Sequence, residues 1–221
     1  MNTQKFRLTA ALVLGFLALT YLLAWSSVFS VKAISVTGLP QQISEKSITA
    51  KSQVVVGDQL ARIEPRAIEH SLQEISWIKN VSVSRNWLNG SVTIDISSRI
   101  PVGIFQGRAL DSDGVLFDLP GNPPAGLPVV SARSPELGLV AIDLFTHLPQ
   151  DLRSSLLSIS AAHASAISSW QKFEDRKIKI QWGSAQDISL KVSVYRALMA
   201  LPENKNVKRI DLSAPHAPIV K

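Results

Sequence analysis

The chain has no cysteine in its 221 residues. That excludes disulfides, thiolate nucleophiles and cysteine-based zinc sites, so any extracytoplasmic part must be held by its core alone. Charge is sparse as well, at 18%. The net +6 is scattered, with no Lys/Arg block and no basic stripe interleaved with aromatics, which argues against nucleic-acid binding. The motifs of common enzymes are missing. There is no G-x-S-x-G, G-x-G-x-x-G or P-loop. Ser-x-x-Lys occurs at Ser76–Lys79 and Ser169–Lys172, without the S-D-N and K-T-G motifs of penicillin-binding enzymes. The four histidines, His70, His147, His163 and His216, have no i, i+4 pair to form a helical zinc face. No two carboxylates are paired for acid–base work. No cofactor, metal, nucleic acid or small-molecule substrate is expected.

The sequence does contain one long apolar run, Leu8 to Trp25, without a charge. As a helix it is about 27 Å long, close to one hydrocarbon thickness. Lys5 and Arg7 precede it, and Tyr21 and Trp25 stand near its far end. The excess of basic residues on the short side predicts a cytoplasmic tail over 1–7, a transmembrane helix over 8–27 and an extracytoplasmic remainder. Trp25 spoils the small-x-small pattern of a cleavage site, so an uncleaved anchor is expected.

Beyond the anchor, "VKAISVTG" has strand period and ends at Gly38-Leu39-Pro40. "ISEKSITAKS" reads as a short helix that Ser44 can cap. Pro65 opens a second helix, in which Ile68, Leu72 and Ile75 form one stripe. Val81 and Val83, then Val92, Ile94 and Ile96, alternate with polar residues around Asn89-Gly90, which predicts a tight hairpin. Its polar face is open either to solvent or to a docking partner. The order is strand, helix, helix, strand, strand, with both helices over the apolar face.

Farther on, Asp113-Gly114 marks a second hairpin. The DSDG run lacks the acid that a calcium loop needs at its twelfth position, which is Asn122. Leu139, Ile142, Phe145 and Leu148 give a helix ended by Pro149. Ile178, Ile180 and Trp182 alternate with Lys177, Lys179 and Gln181 as a half-buried strand. Ser184 is placed to cap a helix from 185 to 201, with Ile188, Val192, Tyr195 and Met199 buried. "VKRIDL" is a strand, and "HAPIVK" a short last one between prolines. Of the tryptophans, Trp77 and Trp182 belong to packed faces by spacing, while for Trp87 and Trp170 spacing does not decide between packing and a carbohydrate-stacking surface.

Trp77, Ile78, Lys79, Val81, Val83, Arg85 and Trp87, followed by Arg99, Pro101 and Val102, resemble the signature of the FtsQ/DivIB cell-division family. Leu88, Ser98 and Gly103 stand where that family usually has proline, glutamate and alanine. "GRALDSDGVLFD", "IKIQWGSAQDISLKVSVYRALMAL" and "KRIDLSAPHAPIV" are similar to its later segments, and residues 120–157 lie outside the matched stretches. The resemblance implies an α+β chain: a POTRA domain over 28–100, then a domain with a mostly antiparallel sheet over 101–221. It implies a non-enzymatic scaffold at the division septum whose partners are FtsB/DivIC-like and FtsL-like proteins. It also implies that a late edge strand accepts a partner strand. By position that role falls on Arg209, Ile210, Asp211, Leu212, Ser213 and Ala214, with Pro215 shortening the usable edge. Two other classes fit the anchor: a POTRA chaperone of an envelope assembly system, which would normally carry repeats and a barrel, and a membrane-anchored wall enzyme.

Overall fold

The computed structural model describes residues 3–25 and 29–221. The first element is helix α1, Thr3–Trp25. No helix among the described residues is long and apolar enough to cross a membrane. Residues 26 and 27, the far end of the span expected over 8–27, lie outside the described residues, so a membrane crossing rests on the sequence alone. The chain divides into two compact units between Arg99 and Ile100.

The first unit follows the expected order: β1 (Ala33–Thr37), α2 (Glu45–Ser52), α3 (Pro65–Gln73), β2 (Ile78–Asn86) and β3 (Ser91–Ser98). Ser44 caps α2, its hydroxyl accepting from the Ser47 N–H at 3.3 Å. Pro65 occupies the first turn of α3, where no N–H is needed. The sheet order is β1-β3-β2, with β1 parallel and β2 antiparallel to β3. Period two puts Val81, Val83, Val92, Ile94 and Ile96 on one buried face, against Ile48, Ile68 and Leu72 of the helices. The outer edge of β2 is partly covered by α3, because the Val83 N–H donates to Glu69 Oε1 at 2.8 Å.

The hairpin turn differs from the expected two-residue Asn-Gly turn. Asn86 pairs with Ser91, which leaves a loop of four residues, Trp87 to Gly90. Asn86 Oδ1 accepts from the Leu88 N–H at 3.0 Å, and the Asn86 carbonyl accepts from the Gly90 N–H at 3.0 Å. Only Gly90 of these four has positive φ, at 75°. The Asn86 side chain organises the turn and spares Asn89 the left-handed conformation.

The second unit has nine strands in the order β12-β11-β10-β9-β8-β7-β4-β5-β6. They are β4 (Pro101–Phe105), β5 (Arg108–Asp111), β6 (Leu116–Phe117), β7 (Val129–Ala132), β8 (Leu156–Ala161), β9 (Ile167–Phe173), β10 (Arg176–Gly183), β11 (Arg209–Asp211) and β12 (Ile219–Val220). Five pairings are antiparallel and three parallel. The β5–β6 turn is held by buried Asp111, whose Oδ1 accepts from the Asp113 and Val115 N–H groups at 3.0 and 2.8 Å.

Helix α4 (Pro135–His147) starts at a Ser134 cap, earlier than the apolar spacing suggests. It is followed by α5 (Gln150–Ser155) and, after β10, by α6 (Ile188–Met199). Ile142, Leu144 and Phe145 of α4 share one core with Ile178, Ile180 and Trp182 of β10, and with Ile188, Val192 and Tyr195 of α6. The start of α6 corrects the sequence reading. Asp187 is the N-cap residue, at φ 53° and without a side-chain cap bond, and Ser184 lies three residues before it. The Ser184 carbonyl accepts from the buried ammonium of Lys191 at 2.8 Å, which holds the segment before the helix in an open turn.

Candidate partner-docking edge and its open face

Arg209–Asp211 is not the edge of the sheet. Strand β11 runs parallel to β10 on one side and pairs with β12 on the other, through Ile210↔Val220 and Asp211↔Ile219. The expectation that 209–214 forms a free edge is corrected: after Pro215 and Pro218 the chain turns back and covers β11 with its own last strand. Ile210 and Leu212 are fully buried core residues, and the Leu212 N–H donates to the Gln181 carbonyl at 2.7 Å. Arg209, Ser213 and Ala214 are exposed, and Asp211 is half-buried. Asp211 Oδ1 accepts from the Ser213 N–H at 3.0 Å, closing the turn that leaves β11. Ser213 lies so close to Gly183 that a Cβ there would come within 2.9 Å of its Cα.

The ladder geometry shows what the true edge offers. Arg209 and Lys221 exchange both backbone hydrogen bonds, each at 2.9 Å. Such pairs alternate along an antiparallel ladder, so Val220, opposite Ile210, turns its N–H and C=O away from β11. Pro218, also of that parity, has only a carbonyl to present. The open edge is therefore one donor flanked by acceptors, beside Ile219, whose side chain is 55% exposed.

Behind this edge, register lines up side chains from four strands with Lys221, the residue after β12. Ser158 pairs with Trp170, Trp170 with Lys179, and Lys179 with Arg209, and Arg209 bonds Lys221. One step along, Lys172 faces Lys177. Trp170 is 43% exposed, and the Lys179 ammonium sits 5.9 Å from its ring centre. The two rows thus gather five cations, Lys172, Lys177, Lys179, Arg209 and Lys221, none in an ion pair among the described residues. Like charges directly opposite one another weaken a sheet, so this face is arranged at some cost to stability. Asp211, in the next row with Gln181 and Ile219, is the acid closest in register.

Sequence reading places Lys177 and Lys179 on one strand face. The row and the Val220 edge were missed, because they depend on which strands become neighbours. Trp77 and Trp182 are buried, as the spacing implies, and Trp87 and Trp170, which spacing leaves undecided, are exposed. No group of three or more potential metal ligands occurs among the described residues. His147 and His163 bond locally, to the Asp143 carbonyl and the Ser165 hydroxyl.

These features define a class: a strand-helix-helix-strand-strand module of POTRA type followed by a sheet-rich domain with a short terminal edge. Residues 29–99 match the FtsQ-type POTRA domain, and residues 98–213 match the C-terminal domain of cell division protein FtsQ/DivIB. The chain belongs to the FtsQ/DivIB family of cell-division proteins. It is 29% identical to cell division protein FtsQ of Streptomyces griseus over 88% of this chain and 98% of that one. It is 25% identical to its counterpart in Streptomyces collinus over 96% and 85%, and 26% identical to that of Mycolicibacterium smegmatis over 92% and 61%.

Proposed function

We propose that the chain is a bitopic, non-enzymatic scaffold of the division septum. In this reading residues 8–27 cross the membrane, 1–7 form a cytoplasmic tail, and the two domains over 28–100 and 101–221 lie outside. The uncharged run from Leu8 to Trp25 and the basic residues before it support that topology.

The end of the second sheet docks the extracytoplasmic parts of FtsB/DivIC-like and FtsL-like proteins by β-strand addition. The observation that carries this reading is the outward-facing Val220 backbone at the end of a nine-stranded sheet. A partner strand bonds β12 there. Arg209, Asp211, Ser213 and Ala214 form the adjoining surface, and Ile210 and Leu212 hold it in place. The cationic row favours a partner whose side chains on that face are acidic.

Val220→Pro tests the proposal. The Val220 N–H makes no bond to β11, so proline fits this edge without breaking the chain's own ladder. Co-purification of the partner proteins and their recruitment to the septum are expected to fail, while the far-ultraviolet circular dichroism and melting temperature stay those of the parent. Unchanged recruitment would count against docking at β12.

A further inference from the structure

The four-residue loop between β2 and β3 is the most exposed apolar point of the first unit. Leu88 is 96% exposed, and Trp87 beside it is open. An exposed leucine alone is ordinary. What distinguishes this one is the stretch of chain lying against it. The Phe29 ring meets the Trp87 ring edge to face, 6.2 Å between centres. The Ser30 carbonyl approaches to 2.8 Å from where a Cβ on Gly90 would lie, and the Lys32 N–H donates to the Gly90 carbonyl at 2.7 Å. Phe29 follows the last residue of α1 by only four positions. Four residues span at most about 14 Å, so the loop is tethered within a short reach of the end of α1.

We infer that Trp87 and Leu88 form a lipid-binding tip, seated in the outer interface of the bilayer beside the point where the chain leaves α1. This rests on the proposed membrane crossing of α1. The side chains have the required chemistry. An indole prefers the headgroup level, where its ring is half apolar and its N–H can reach water. Leu88 supplies an apolar end that nothing in the first unit covers. The Arg85 guanidinium lies 5.4 Å from the Trp87 ring centre, and the Lys32 side chain runs alongside Gly90. Both cations stand at the level of lipid phosphates, where each adds attraction to an anionic surface. Arg85 is also anchored inward, donating to the Leu60 and Ile63 carbonyls at 2.8 and 2.7 Å, so the tip is presented on a fixed base.

The absence of cysteine makes the test direct, since any introduced thiol is unique. Leu88→Cys, Ser97→Cys and Leu17→Cys are each made in the full chain and labelled with a nitroxide. The chains are reconstituted into vesicles of phosphatidylethanolamine and phosphatidylglycerol. Depth is read by power saturation, with oxygen against a water-soluble nickel chelate. The Leu17 label is expected in the hydrocarbon, the Leu88 label about 5 Å into the headgroup–acyl boundary, and the Ser97 label in water. A Leu17 label in the bilayer with a Leu88 label in water would overturn the tip and leave the anchor standing. A Leu17 label in water would overturn the anchor, and the tip with it. A Leu88 label shielded from both oxygen and nickel would place the tip in a protein contact and overturn the lipid assignment.

Discussion

On the open face of the three-stranded sheet, Ser35 donates to Thr93 at 3.2 Å and Thr37 donates to the Asp95 carboxylate. On the open face of the nine-stranded sheet, Lys177 stands opposite Lys172 and Lys179 opposite Arg209. The first face bonds two pairs of its polar groups to one another; the second sets cations side by side. The edges differ in the same way. Part of the β2 edge is closed by Glu69 from its own unit, whereas β12 leaves the Val220 backbone open. A surface that needs nothing else to be stable is a poor marker of binding, and one held against its own repulsion is a better one. Thr93 and Asp95 of the β2–β3 hairpin thus have partners within their own unit, and the docking proposal rests on the second sheet.

The sharpest way to break this comparison is to separate the residues that carry the second face from those exposed on it. Leu212 is fully buried although it lies within the segment first considered for docking. Leu212→Ala is expected to cost about 2–5 kcal/mol of stability, read by urea unfolding, and to weaken docking only through unfolding. Arg209→Ala, three residues away and exposed, is expected to change stability by less than about 0.5 kcal/mol while reducing co-purification of the acidic partner. Equal stability losses for the two would refute the division of roles.

The same unit also buries one cation. Lys191 is 2% exposed, with its ammonium on the Ser184 carbonyl. Burial pushes its pKa below the ordinary 10.5, with the nearby Asp187 charge opposing. Just below that value the native chain therefore holds fewer protons than the unfolded one, so stability rises with pH there. Burial moves Tyr195 the other way, above its ordinary 10.0, and the unfolded state then loses protons first at higher pH. The rise is thus expected on the alkaline side but below pH 10.0. Lys191→Met should flatten it in melts taken across that range. An unchanged slope would show that the ammonium is better solvated than its burial implies.

A smaller effect with opposite signs in stability and function is expected at the row itself. Lys179→Glu places a carboxylate between Arg209 and Trp170 and removes a like-charge pair. Stability should rise by about 0.2–1 kcal/mol, while docking falls. A variant that melts higher and recruits its partner less well would be hard to explain by misfolding. Parallel losses in both would undo the claim that the row is kept for binding.

Local features were legible in the sequence because their causes are local. Ser44 and Pro65 mark helix starts through backbone groups within a few residues. Val81, Val83, Val92, Ile94 and Ile96 reveal their face by alternation alone. The turn at Trp87–Gly90 was misread because Asn86, three residues before Asn89, takes over the bonding. The burial of Lys191 carries no sequence signal, because its ammonium is satisfied by the Ser184 carbonyl only once the turn before α6 has formed. The docking edge was least legible. Arg209–Asp211 becomes a neighbour of β10 only through the crossover by α6, and two residues, Ile219 and Val220, decide which strand is outermost. No periodicity in so short a strand announces that role.

The smallest expected effect sharpens the comparison from the first sheet. Thr93→Val keeps shape and strand preference but removes the hydroxyl that accepts from Ser35. Both groups are exposed, so water can replace the lost bond, and stability should change by less than about 0.5 kcal/mol. If that face is merely self-satisfied surface, septal recruitment should also be unchanged. The measurement carries weight because a docked partner would exclude the replacing water and leave the Ser35 hydroxyl unpaired, a cost of about 1–3 kcal/mol. A stable Thr93→Val chain that fails to recruit its partners would therefore return the first sheet to the docking surface and remove the asymmetry between the two units.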